Sequence, residues 1–172
     1  MKGKWAQGIP PRNFAWVIRD HLAVSERLGG YGRSHRRVRR QEEIVWVKAQ
    51  GFTCVVSMLA SPYNLHVYEE ADLSWRHVPL GGGEEPARVL ADLYRDLTVR
   101  LAAGERLLVH QDEVGDCVQG AMAGYLVHRG LVPQQARAIA MLEHLLHRQM
   151  GPPGRELVTI AARLTPQPAP PP

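Results

Sequence analysis

The 172-residue chain has only two cysteines, Cys54 and Cys117. That is too few for a disulfide framework, and they sit in unlike settings, one within an apolar β-branched run and one at a helix start. Both are expected to be free thiols of a reducing compartment. No apolar run is long enough to cross a bilayer, and the opening Met1-Lys2-Gly3-Lys4-Trp5 lacks the apolar segment of a signal peptide. These absences leave a cytoplasmic location as the default and give no reason to expect a membrane partner. No internal repeat is visible, and nothing in the composition calls for a cofactor. What is present is 45% hydrophobic residues, enough for one domain of ordinary size built on a single core.

Net charge is small and is concentrated in one place. The net charge is +4, and five of the 21 basic residues (Arg33, Arg36, Arg37, Arg39 and Arg40) fall within eight positions, with His35 among them. The rest of the chain is close to neutral. Such a run could bind nucleic acid, but no aromatic residue is interleaved with it beyond Tyr31. Charge runs are more often solvated helix faces or loops, which argues against nucleic acid.

Taken in order, residues 1–12 read as an irregular lead-in, followed by two short strands over Asn13–Ile18 and His21–Ser25 and a break at Gly29-Gly30-Tyr31-Gly32. The arginine run leads into a helical pattern (Val38, Ile44, Val45, Val47, Ala49) that ends near Gln50-Gly51. Thr53–Leu59 is β-branched and apolar, as expected of a strand covered on both faces. Val89, Leu90, Leu93, Leu97 and Leu101 give an amphipathic helix over 87–103, ended by Gly104. After the next strand, helices are predicted to about Arg129 and from beyond Pro133 through Gln149. Residues 150–154 read as a turn, Arg155–Leu164 as a last helix, and 165–172 as a disordered Pro-rich tail. The domain is therefore drawn as 13–164.

The chain is organised around Leu107–Gly120. Three apolar residues, Leu107-Leu108-Val109, read as a buried strand, and the small and apolar run from Val118 reads as a helix packed behind it. The loop between them is aimed at a helix N-terminus, an arrangement that ordinarily holds an anion.

Strand, Val-His, seven-residue loop and small-residue helix resemble the signature of the cysteine-dependent protein tyrosine phosphatases, dual-specificity subgroup, whose pattern is His-Cys-x5-Arg-Ser/Thr. On that frame His110 matches the leading histidine, Gln111 stands at the nucleophilic cysteine, Cys117 at the phosphate-binding arginine and Val118 at the hydroxyl residue. Val114 occupies the place of the loop glycine, with Gly115 next to it. Tyr68–Leu80 resembles a second family segment, after which active relatives carry a general-acid aspartate. Here Gly81-Gly82-Gly83-Glu84 follows, so that position is held by glycine, Gly82, unless Glu84 reaches in. The resemblance spans roughly residues 13–150. It implies an α/β three-layer sandwich of dual-specificity/tyrosine phosphatase type, with a central, mostly parallel sheet of about five strands flanked by helices.

Phosphoryl transfer on this frame needs a low-pKa thiolate, a guanidinium with backbone N–H groups around the equatorial oxygens, and an acid for the leaving oxygen. A neutral amide at 111 cannot become a phosphoenzyme, and a thiol at 117 offers no bidentate clamp. The loop also gains Asp112, Glu113 and Asp116; at an effective dielectric of about 20, each carboxylate ~5–6 Å from a phosphate charge costs roughly 3 kcal/mol. The reading is a degenerate loop, His110 to Val118, in a pseudophosphatase that serves as a regulatory protein-binding module. His110 is expected to be a hydrogen-bonded structural residue, Gln111 to fill the old pocket, Asp116 to act as a cap, and Cys54 to lie in the core.

Two rival readings remain. One is a phosphoric-ester hydrolase with a rearranged site using Cys117 or the loop carboxylates; the other is a basic nucleic-acid binder through Arg33–Arg40. Metal is not expected, because the spacing of His110, Asp112, Glu113, Asp116 and Cys117 matches no closed site. A last expectation joins the two charged regions: the Arg33–Arg40 segment, or a basic segment of a protein partner, docks on Asp112, Glu113 and Asp116 in place of phosphate.

Overall fold

The computed structural model describes residues 7–62 and 64–166. The outermost residues of the lead-in, 1–6, and of the Pro-rich tail, 167–172, lie outside the described residues. A five-stranded sheet runs in the order β1-β2-β5-β3-β4. Its strands are β1 (Ala15–Ile18), β2 (Leu22–Glu26), β3 (Cys54–Ser57), β4 (Ser74–His77) and β5 (Leu107–Gln111). β1 pairs antiparallel with β2 as a hairpin, and every other neighbour is parallel. Parallel strands need long crossovers, and helices supply them: α1 (Arg37–Ala49), α2 (His66–Glu70) and α3 (Pro86–Ala102). Then follow α4 (Asp116–His128), α5 (Gln135–Leu146) and α6 (Pro152–Arg163).

Alternation along the three inner strands divides the core in two. Leu22, Val24, Cys54, Val56, Leu107 and Val109 face α3 to α6. Ala23, Val55 and Leu108 point the other way, toward Ile44 and Val47 of α1 and Tyr68 of α2. The second layer is closed by aromatic residues. Phe14 meets Trp46 edge-on at 4.9 Å between ring centroids, and Trp16 stacks on Phe52 at 5.3 Å, so the hairpin is pinned to α1. Cys54 is wholly buried, as expected, and burial raises its thiol to about 11.

Boundaries depart from the sequence reading at the C-terminal end. α5 stops at Leu146, because His147 turns into the left-handed region (φ 51°). The chain beyond it is drawn off by side chains: Glu143 accepts from the Met150 backbone N–H, and Gln119 donates to the Arg148 carbonyl. α6 begins at Pro152, within the segment expected to be a turn. Proline fits the first turn, where its missing N–H costs nothing. α4 lies deep between α5 and α6, and Gly120 lets α6 approach: a Cβ there would lie 2.5 Å from the Gly154 carbonyl oxygen. Among the described residues no helix is long and apolar enough to cross a membrane.

Candidate functional site

The carboxyl ends of β2, β3 and β5 converge on one residue. Register pairs Glu26 with Gln111 and Ser57 with His110, so the chain leaves the sheet as Arg27, Met58 and Asp112 side by side. In parallel sheets, ligands bind off these ends. Here a cavity of about 390 Å³ opens among Tyr31, Leu59, Gly82, Gln111, Glu113 and Cys117.

Gln111 closes its floor. The side-chain amide donates to the carbonyls of Met58 (3.1 Å) and Leu80 (2.9 Å) and lies 3.4 Å from Cys117 Sγ. Both amide protons are thus committed, and the residue links the ends of β3, β4 and β5. The Cys117 thiol lies 3.7 Å from the Leu80 carbonyl, which it can donate to. Burial pushes this thiol up; the Gln111 hydrogen bond pulls it down, while Glu84 and Asp116 push it up again. The chief cause is desolvation, and neither Asp112 nor Glu113 is among the causes.

Each of the three loop acids has a partner, and none is in the Arg33–Arg40 run. Asp112 faces Arg27 at 3.5 Å. Glu113 accepts from the Tyr31 hydroxyl. Asp116 receives Arg148 at 2.5 Å and the Gly151 N–H at 3.0 Å, and these hydrogen bonds hold its carboxyl below the usual range. It is not the cap of its own helix: Gly115 is the N-cap, and the Asp116 side chain ties the start of α4 to the α5–α6 turn. The expectation that the chain's own arginine run covers the acids is therefore corrected. Arg39 pairs instead with the wholly buried Glu43 at 2.6 Å, and Arg36 donates to the Arg33 and His35 carbonyls.

His110 is buried but unsatisfied, which corrects the expectation of a hydrogen-bonded histidine. It is wholly buried, and neither ring nitrogen has a hydrogen-bond partner among the described residues. Its ring lies 6.0 Å from that of Tyr68. Burial, aided by the Arg27 charge, pushes the imidazole down to about 3, so at neutral pH the ring is uncharged and is no imidazolium acid.

Glu84 does not enter the cavity. Its carboxylate accepts from the Gly82 N–H at 2.8 Å and lines a separate groove with Arg76, Asp92 and Asp96. At the place of the leaving-group acid the cavity wall is Gly81 and Gly82. Both cysteines are free. Among the described residues no three His, Cys, Asp or Glu side chains come together as metal ligands.

No local signal in the sequence marks Arg27, Tyr31 and Arg148 as the partners of the acids. Their partners are 85, 82 and 32 residues away. Only the strand order, which seats Arg27 beside Asp112, could have found the first.

No family model matches the sequence, and no curated protein matches it. Solved structures do match. Kinase associated phosphatase carrying a substitution of its catalytic-site cysteine to serine aligns with a TM-score of 0.74 at 18% identity, over 90% of this chain and 98% of that one. Human DUSP28 aligns at 0.64 and 17%, over 91% and 97%. The core catalytic domain of the PP-IP phosphatase SIW14 from S. cerevisiae, in complex with citrate, aligns at 0.66 and 12%, over 88% and 86%. The fold is that of the dual-specificity and tyrosine phosphatases, as the loop motif implied.

Proposed function

We propose that this phosphatase-fold protein does not catalyse phosphoryl transfer and acts as a regulatory module that binds another protein. The observation that carries the reading is the floor of the cavity. Where the fold's chemistry needs a thiolate, Gln111 spends its amide protons on the Met58 and Leu80 carbonyls. Where it needs a guanidinium, there is a thiol that burial keeps protonated. The leaving-group acid has no candidate either, since Gly82 offers only backbone and Glu84 is turned back on its own loop. What remains is a shaped, charged concavity at the carboxyl ends of the strands, suited to contact without chemistry.

The rival hydrolase reading needs Cys117 or the loop carboxylates as nucleophile, and each of those carboxylates is already engaged by a partner. A half-buried thiol that desolvation and the charges of Glu84 and Asp116 push up is a poor one. The deciding measurement is hydrolysis of a generic aryl phosphate by the full chain. We expect no turnover above the buffer rate and no difference between the wild type and Cys117→Ser. Clear turnover that vanishes in Cys117→Ser would overturn the reading.

A further inference from the structure

Beside the loop cavity lies a second one of about 520 Å³, walled by Arg27, Tyr31, His35, Arg37, Arg40 and Asn64. Its lining holds three guanidiniums and an imidazole and no carboxylate. The local physics runs against this arrangement. α1 starts with no side-chain cap and no acid in its first turn, and Arg37, Arg39 and Arg40 crowd the positive end of its dipole, where anions belong. Not all of the run is committed to structure. Arg39 is held by Glu43 and Arg36 by backbone carbonyls, but Arg40 Nε is buried with no hydrogen-bond partner among the described residues. Its Nη1 lies 3.5 Å from His35 Nε2. The loop is built to bring these groups together. Gly29 (φ +86°) passes so close to α1 that a Cβ there would lie 2.6 Å from that of Arg40, and its N–H is anchored on buried Glu43 at 2.7 Å. Arg27 has Asp112 as a partner outside the cavity, whereas Arg37 and Arg40 converge on a lining that carries no carboxylate.

We propose that this cavity binds a phosphomonoester carried on a partner protein. The inference rests on the binding-module reading and names the chemistry of its partner. A phosphoryl dianion gives the Arg37 and Arg40 forks that line the cavity the oxygens they match. Burial and the surrounding arginines lower the His35 imidazole, an effect that an anion in the cavity offsets. A peptide fits better than a polynucleotide because of the neighbouring wall. Tyr31 lines both cavities, and just beyond it stand Glu113, which is exposed, and the half-exposed Asp112. A uniform polyanion leaving the basic cavity runs into those carboxylates. A peptide whose phosphorylated residue is followed by arginine or lysine meets both signs.

The test uses the full-length, isotope-labelled chain and phenylphosphonate, which cannot be hydrolysed, so binding is read separately from turnover of an aryl phosphate. Saturable amide shifts are expected across residues 31–40 and at Asn64, with a dissociation constant on the order of 1 mM for so small a probe. Fluorescence anisotropy then compares a phosphothreonine-arginine peptide, its unphosphorylated twin, inositol hexakisphosphate and a single-stranded RNA. The phosphopeptide should bind at least about tenfold tighter than its twin, and Arg37→Gln with Arg40→Gln should remove that advantage, whereas Arg137→Gln on α5 should not. The shift map and the twin comparison need no variant, so misfolding of the double substitution would leave the outcome decided. Shifts confined to residues 111–117, no shifts, or equal binding of the twin would each overturn the site. Tighter binding of the hexakisphosphate or the RNA than of the phosphopeptide would overturn the partner.

Discussion

His110 and Gln111 are neighbours on β5 with opposite hydrogen-bond fates, and each gives a separate test. The His110 imidazole falls to about 3 in the folded chain against an ordinary 6.5, so between these values the unfolded chain binds the extra proton. Stability is therefore full above about pH 6.5 and is lost as pH falls toward 3, by up to ~1.4 kcal/mol per pH unit. Between pH 7 and pH 5 this one group should cost about 2 kcal/mol. His110→Leu, which removes two unpartnered nitrogens at similar volume, should leave stability at pH 7 within ~1 kcal/mol and flatten the decline by about that 2 kcal/mol in urea melts. An unchanged slope would mean the ring is not buried neutral. Gln111→Ala acts the other way: it strips the Met58 and Leu80 carbonyls of a shared donor and should destabilise by about 1–3 kcal/mol in the same melts. Both residues were legible as signature-loop positions, because the loop motif fixes what stands at each place. The partners of the loop acids were not. Arg27, Tyr31 and Arg148 reach them across the fold, and no spacing along the chain announces such pairs.

At the scale of elements, hydrophobic period carried most of the reading. α3 shows the 3.6-residue repeat of Leu90, Leu93 and Leu97, all wholly buried, and was placed to within a residue or two at either end. α4 is buried nearly all round, so its existence came from small residues and its length from Gly130. The errors fell where tertiary bonds decide. Nothing local says that α5 must stop for Arg148 to reach Asp116 and Gln119, or that Pro152 starts a helix rather than ending a turn. The α4–α6 contact is the sharpest case, since it rests on two glycines. Gly120→Ala would set a methyl 2.5 Å from the Gly154 carbonyl oxygen and 2.8 Å from its Cα, and backbone cannot swing aside as a side chain can. The expected result is a loss of about 1–3 kcal/mol or more, seen as a lower urea midpoint at unchanged slope. A neutral outcome would mean α6 is free to slide on α4.

Over the whole molecule the sequence implied the layered α/β class through its alternation of strand and helix patterns, and the loop motif supplied the family likeness that the solved structures share. Strand order could not be read from periodicity. It is strand order that places an acidic loop and a basic cavity on either side of Tyr31. At physiological ionic strength, charges within about 8 Å still feel one another, so the carboxylates on one side of Tyr31 act on whatever enters on the other. With the acids present, a single-stranded RNA gains from the arginines and loses against Asp112 and Glu113, so the wild type should bind it weakly and with a shallow dependence on salt. Asp112→Lys with Glu113→Lys removes that opposition, and with it the Asp112 partner of Arg27, while leaving Arg37 and Arg40 unaltered. The double variant should bind the same RNA at least about tenfold tighter at low salt, and each added phosphate contact should steepen the log–log salt slope by roughly 0.7. Anisotropy titrations at two or three salt concentrations read both quantities. Equal affinity and equal slope in the two proteins would show that the acidic loop exerts no guard over its neighbour.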